Sequence, residues 1–183
     1  PHLDRMAEEG NVLTQFYVAN TACTPSRAAL LTGTYANRIG MDGGLQKKEG
    51  IPSFIVNFPG DHRGLNPSEI TIAEMLKENG YATGCFGKWH LGDQPEFMPL
   101  AQGFDTYFGI PYSNDMWPLH KRGNPITKGK PYEPLPVMKQ DKAVAHVADE
   151  FDQSLLAEVI TDEAIAFIEK NQKQPFFCYI PHA

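Results

Sequence analysis

Cys23-Thr24-Pro25-Ser26-Arg27 is the stretch of this 183-residue chain whose residue types and spacing best suit chemistry. The sequence predicts a helix over residues 24–31, with Thr24 as its cap, Pro25 in its first position and Gly33 as its stop. Cys23 then sits just ahead of a helix N-terminus, where unpaired N–H groups and the positive end of the dipole face whatever the cysteine holds. Arg27 follows four residues on, one turn into the helix, so its planar guanidinium can reach the same place. Nucleophile, helix end and guanidinium together make a cradle for a tetrahedral oxyanion. Two other readings use the same residues. The cradle would acidify a thiol and suit a thiolate enzyme; alternatively, Cys23 is a buried residue before a capped helix and Arg27 an ion-paired surface residue.

Lys88 and His90 form a second pair, at the end of a strand expected over residues 81–86 and its continuation. In an extended chain they face one side while Trp89 faces the other. The C-terminal ends of strands in open α/β sheets are the usual place for ligands. Taken alone, Lys-x-His describes an exposed polar pair equally well.

The elements that must hold these residues are read from periodicity. Leu3, Met6 and Ala7 share a helical face that Gly10 ends. Residues 12–18 are rich in β-formers and read as a short strand. Residues 40–67 are rich in Gly, Pro and Asn and read as loop, with a short strand over 54–58. Ser68 is the expected cap of a helix with the stripe Ile72, Met75 and Leu76, closed by Asn79 and Gly80. Residues 111–136 are irregular, and residues 137–147 suggest a hairpin about Asp141 and Lys142. Leu155, Leu156, Val159, Ile160, Ala164, Phe167 and Ile168 make a long helical apolar face, followed by a strand over 176–180. Helix-then-strand units with apolar strands imply an α/β domain, a mostly parallel sheet flanked by helices.

Composition narrows the partners. Sixteen basic and twenty-two acidic side chains leave a net charge of −6, with no run of Lys and Arg to follow a nucleic-acid backbone. An anionic substrate must therefore meet a few local cations. No apolar run reaches the roughly 20 residues that span a bilayer. Cys23, Cys85 and Cys178 are too few and too far apart for a disulfide framework, and the latter two sit in apolar runs as small buried hydrophobes. The chain opens at Pro1 and stops three residues after an apolar strand, so it reads as a piece of a longer protein, with its sheet incomplete at both ends.

Three strings resemble the type I sulfatase family. Cys23-Thr24-Pro25-Ser26-Arg27-Ala28-Ala29-Leu30-Leu31-Thr32-Gly33 is similar to its signature, Cys-x-Pro-x-Arg followed by an apolar pair and Gly. Gly80-Tyr81-Ala82-Thr83-Gly84-Cys85-Phe86-Gly87-Lys88-Trp89-His90-Leu91-Gly92 resembles the second signature, with a bulkier Phe86 than usual. Residues 103–115 look like the stretch that follows it.

The resemblance implies an alkaline phosphatase-like fold, with residues 1–183 as part of the N-terminal catalytic domain and 111–150 as an irregular insertion whose Pro-rich part shapes the substrate entrance. It implies that a formylglycine-generating enzyme oxidises Cys23, and that the hydrated aldehyde attacks the sulfur of a sulfated sugar or aryl ester to give a covalent sulfo-enzyme. Arg27 and Lys88 would offset charge on the sulfuryl oxygens, Lys88 would bind the sulfate and bridging oxygen, and His90 would contact the nucleophile or the sulfate. Ser113 would touch the site, although a turn beside Asn114 and Asp115 is an equally simple role for it. Ca²⁺ would be held by Cys23 as formylglycine together with acidic residues outside this chain, so the 183 residues alone would be inactive. His182 would be a neighbour of a catalytic histidine rather than that residue. Location in a secreted, periplasmic or lysosomal compartment is implied in the same way. A phosphoesterase of the same superfamily and a non-catalytic relative remain as alternatives.

Overall fold

A computed structural model describes residues 1–42 and 55–183. Its helices are α1 (His2–Glu9), α2 (Cys23–Thr32), α3 (Ile72–Glu78) and α4 (Glu150–Asn171), and its strands are β1 (Ala82–Lys88), β2 (Thr106–Ile110), β3 (Leu135–Lys139), β4 (Lys142–Val147) and β5 (Phe176–Tyr179). The five strands form one sheet in the order β4-β3-β2-β1-β5. β1 runs parallel to both β2 and β5, whereas β3 joins β2 antiparallel and pairs with β4 as a hairpin. The α/β architecture is the expected one, and the sheet is mixed: a parallel half carries β1, and a hairpin extends it at one edge. The hairpin turns at Gln140, whose φ is 58°, and Asp141.

Alternation along β1 divides the core. Phe86 lies in one buried cluster with Phe108, Ile110, Leu135 and the α4 residues Leu156, Ile160, Ala164 and Phe167. Cys85 lies in the other with Tyr107, Trp89, Phe104, Leu65 and the helix residues Ala28, Leu31 and Ala73. One face of the sheet is thus covered by α4 and the other by α2 and α3, because neighbouring residues of a strand point to opposite faces. Cys85 is fully buried, and Cys178 is half-buried against the α4 side.

Several local expectations are corrected. Residues 12–18 form no strand; Val12, Leu13, Phe16, Tyr17 and Val18 are exposed, and no described strand pairs with them, so β-propensity has no ladder to complete. Residues 55–58 form no strand, and Phe54 lies outside the described residues. The cap of α3 is Thr71, not Ser68: Thr71 Oγ1 accepts from Glu74 N–H while the Glu74 carboxylate accepts from Thr71 N–H, a reciprocal box that Ser68 has no partner to form. The buried residue of α3 is Ala73, with Ile72 and Met75 exposed. Helix α2 begins at Cys23, with Ala22 as its N-cap residue, so Cys23 is the first helical residue rather than the one before the helix. Thr24 does not cap; its hydroxyl serves the site instead. Gly33 ends α2 as expected, at φ 65° with its N–H donating to Ala29 O.

Candidate functional site

The parallel strands end together beside α2. Past the end of β1 the ladder continues: Lys88 N–H donates to Pro181 O at 2.8 Å, Trp89 N–H to Ile110 O at 2.9 Å and His90 N–H to Pro111 O at 2.9 Å. Two glycines let the strands approach here. Gly87 and Gly109 face each other in register, and a Cβ on Gly109 would lie 2.0 Å from Gly87 O.

The structure links four of the five residues that the two motifs and the Ser113 patch singled out. Lys88 Nζ donates to Cys23 Sγ at 3.3 Å and to Ser113 Oγ at 2.9 Å. Arg27 donates through Nη1 to Lys88 O, and its hydrogen bond to Tyr179 partly offsets the burial that raises that phenol. Lys88 is 7% exposed and Ser113 9%, while Cys23 is partly exposed, so a buried ammonium meets a reachable sulfur. Ser113 fills both expected roles: its carbonyl accepts from Met116 N–H at 3.0 Å across a turn over Asn114 and Asp115, and its hydroxyl meets the ammonium. Cys23 opens on a cleft of about 400 Å³ that Arg27, Asn20, Tyr179 and Pro181 also line. As the first residue of α2, Cys23 stands beside first-turn N–H groups that have no intrahelical acceptor.

His90 is held differently. Its φ of 63° turns the backbone out of the strand, so alternation past Lys88 does not set its direction. Its ring Nε2 meets Asn57 O at 2.8 Å, and Nδ1 is buried without a hydrogen-bond partner among the described residues. The carbonyl fixes the proton on Nε2, which leaves Nδ1 as an acceptor. Thr24 joins this group to the nucleophile helix: its Oγ1 donates to His90 O at 2.9 Å and accepts from Asn57 N–H at 3.1 Å. Sequence reading had assigned no part to Asn57 or to this use of Thr24. Asn57 lies in an irregular stretch, and no periodicity marks a residue whose contribution is a backbone carbonyl. His182 is exposed, at the same end of the sheet, with its N–H on Ile180 O.

Among the described residues, no three His, Cys, Asp or Glu side chains gather as a metal would require. The groups nearest Cys23 are cationic or neutral, which is the wrong donor set for Ca²⁺ by itself. No described helix is long and apolar enough to cross a membrane.

A family profile described as Sulfatase matches residues 1–182. N-acetylgalactosamine-6-sulfatase of Sus scrofa is 38% identical over 189 residues, covering 98% of this chain and 33% of that protein. The solved structure of a sulfatase from Pseudoalteromonas sp. superposes with a TM-score of 0.75 at 25% identity, over 98% of this chain and 37% of that one. Another, solved in complex with its substrate D-glucosamine-2-N,6-O-disulfate, gives a TM-score of 0.61 at 26% identity, over 100% of this chain and 28% of that one. The chain thus spans about a third of the length of the curated relatives it matches.

Proposed function

The chain belongs to the sulfatase family, and we propose that its site carries the nucleophile of a sulfuric ester hydrolase acting on a sulfated sugar or aryl ester. The observation that supports this most directly is the convergence of Cys23, Lys88, Ser113 and Arg27 at one end of the sheet. Cys23 Sγ stands where a hydroxyl oxygen of hydrated formylglycine would lie. Formylglycine at this position supplies a geminal-diol oxygen able to attack sulfur.

The other residues divide the remaining work. Lys88 places an ammonium 3.3 Å from the reacting atom, where charge builds on the sulfuryl and bridging oxygens. Ser113 holds that ammonium in place and keeps a buried cation hydrogen-bonded. Arg27 braces the strand carrying Lys88 and lines the open cleft, where its guanidinium can meet a sulfate oxygen. His90 stays neutral, because burial and Lys88 oppose its taking up a proton, and its Nδ1 can accept a hydrogen bond that orients the nucleophile or the substrate. In the balance of the reaction, the S–O bond to the alcohol breaks, the alcohol takes a proton, and the oxygen of water ends on sulfate.

Ca²⁺ belongs to the proposal only as a ligand of the whole protein, with Cys23 as formylglycine the contributing residue here and no step assigned to it. A formylglycine-generating enzyme as maturation partner, and a secreted, periplasmic or lysosomal setting, belong to the same proposal. So does residue range 111–150 as an insertion within a catalytic domain that these 183 residues only partly make up.

The test is the full-length protein co-expressed with a formylglycine-generating enzyme. Mass spectrometry of the tryptic peptide from Met6 to Arg27 should show the aldehyde at Cys23. The protein should release sulfate from a sulfate ester, and Cys23→Ser should abolish that release. An unconverted thiol in cells that mature a control sulfatase would sink the proposal.

A further inference from the structure

We infer that the cleft between residues 55–60 and residues 115–132 binds the next sugar of an anionic glycan, with Lys121 and Arg122 taking a second sulfate or carboxylate. The inference rests on the reading of the neighbouring site as a sulfate-ester hydrolase. The cleft holds about 730 Å³, enough for a pyranose ring and its substituents. Trp117 and His120, the latter braced edge-to-face on the buried Tyr132 with ring centroids 5.5 Å apart, supply aromatic surface of the kind that packs on the C–H faces of a sugar.

Charge identifies the class of ligand. The protein as a whole carries −6, yet between Asp115 and Glu133 the chain has Lys121, Arg122, Lys128 and Lys130 and no acidic residue. Lys121 and Arg122 line the cleft and are exposed, without an ion pair among the described residues. Asp115 lines it too and acts on the imidazole of His90, so it marks the wall nearer His90. Its carboxylate can accept from sugar hydroxyls but would repel an anion, which directs a second anionic group to Lys121 and Arg122.

The cleft is also tied to the nucleophile's surroundings. Asn124, 5% exposed, donates through Nδ2 to Pro59 O at 3.0 Å. Two residues earlier on that same strap, Asn57 O receives His90 Nε2. Asn124 also closes its own loop, receiving Gly129 N–H on its carbonyl at 2.9 Å and donating its N–H to Lys130 O at 2.8 Å. The cationic loop is therefore set against the site before any ligand arrives, which lowers the ordering cost of binding.

The test uses full-length protein carrying Cys23→Ser, which can neither mature nor turn over, so binding is read without hydrolysis. Calorimetric titration compares a multiply sulfated hexasaccharide with a monosulfated aryl ester, before and after adding K121A and R122A. The expected result is a loss of about tenfold or more in hexasaccharide affinity with a shallower salt dependence, and a smaller loss for the aryl ester. Unchanged hexasaccharide affinity, or equal losses for both ligands, would overturn the inference. So would hydrogen exchange showing the cleft covered by another segment of the full-length chain. Failure of the mature wild-type protein to release sulfate from either compound would instead overturn the hydrolase reading, and it leaves the binding result to judge the cleft.

Discussion

Burial pushes the His90 imidazole down to about 3, and the Lys88 ammonium adds to the same effect. Arg27 acts in that direction too, while the Asn57 carbonyl and Asp115 oppose it. An unfolded chain takes up a proton at this residue near pH 6.5. The native one does so only near 3, so between those values acid favours unfolding. The native stability associated with His90 is complete above about pH 6.5 and is lost progressively as pH falls toward 3. His90→Gln retains a donor for Asn57 and does not titrate. Its stability deficit relative to wild type should therefore shrink as pH drops from about 7 to about 4, by no more than about 1.4 kcal/mol per unit. Thermal melts across a pH series read this directly, and a constant deficit would mean that the imidazole is not held neutral.

The parallel strands deliver Lys88 to Cys23 because β1, β2 and the chain after β5 approach without intervening side chains. Gly109 has a φ of 156°, which residues with a side chain rarely adopt, and a Cβ there would also strike the backbone of Gly87. The clashing atoms are all backbone, so relief must come from moving β1 against β2. Gly109→Ala is expected to lower activity at least tenfold by displacing Lys88, in keeping with the sensitivity of catalysis to shifts of about 1 Å. The secondary structure should survive, and the check is kcat alongside circular dichroism. Full activity in G109A would show that the register tolerates the insertion. Helix α2 contributes at this scale as well, since the Thr24 hydroxyl binds it to both His90 and Asn57.

Across the whole molecule, the sheet separates two cores, and the one beneath α2 and α3 centres on aromatic rings. Phe104 is 1% exposed, meets Trp89 edge-to-face at 6.0 Å and stacks with Phe177 at 6.0 Å and Tyr179 at 6.3 Å. Tyr179 in turn borders the cleft at Cys23, so this packing supports the floor of the site. Phe104→Ala should cost about 3–5 kcal/mol through lost burial and the cavity left behind. That is a large share of the few kcal/mol that keep a domain folded. A clear drop in Tm in the full-length protein is the expected reading, and an unchanged Tm would show that the region repacks around the gap.

The sequence by itself singled out most of the candidate site residues and most of their scaffold. Cys23, Arg27, Lys88 and His90 stand in strings whose order carries their identity, and α2, α4, β1 and β5 follow from caps, apolar period and apolar runs, all local properties of the chain. It could not determine what depends on partners distant in sequence. Residues 12–18 have the composition of a strand but no described neighbour to pair with, and Thr71 prevails over Ser68 because Glu74 is there to answer it. Only the tertiary structure decided that Ser113 meets Lys88 across 25 residues, and that Asn57 fixes the His90 tautomer across 33. It alone placed His120, Lys121 and Arg122, which have no motif, on one cleft. The physical reason is the same in each case: a hydrogen bond or a cleft wall is a relation between two distant segments, and periodicity and spacing describe only one.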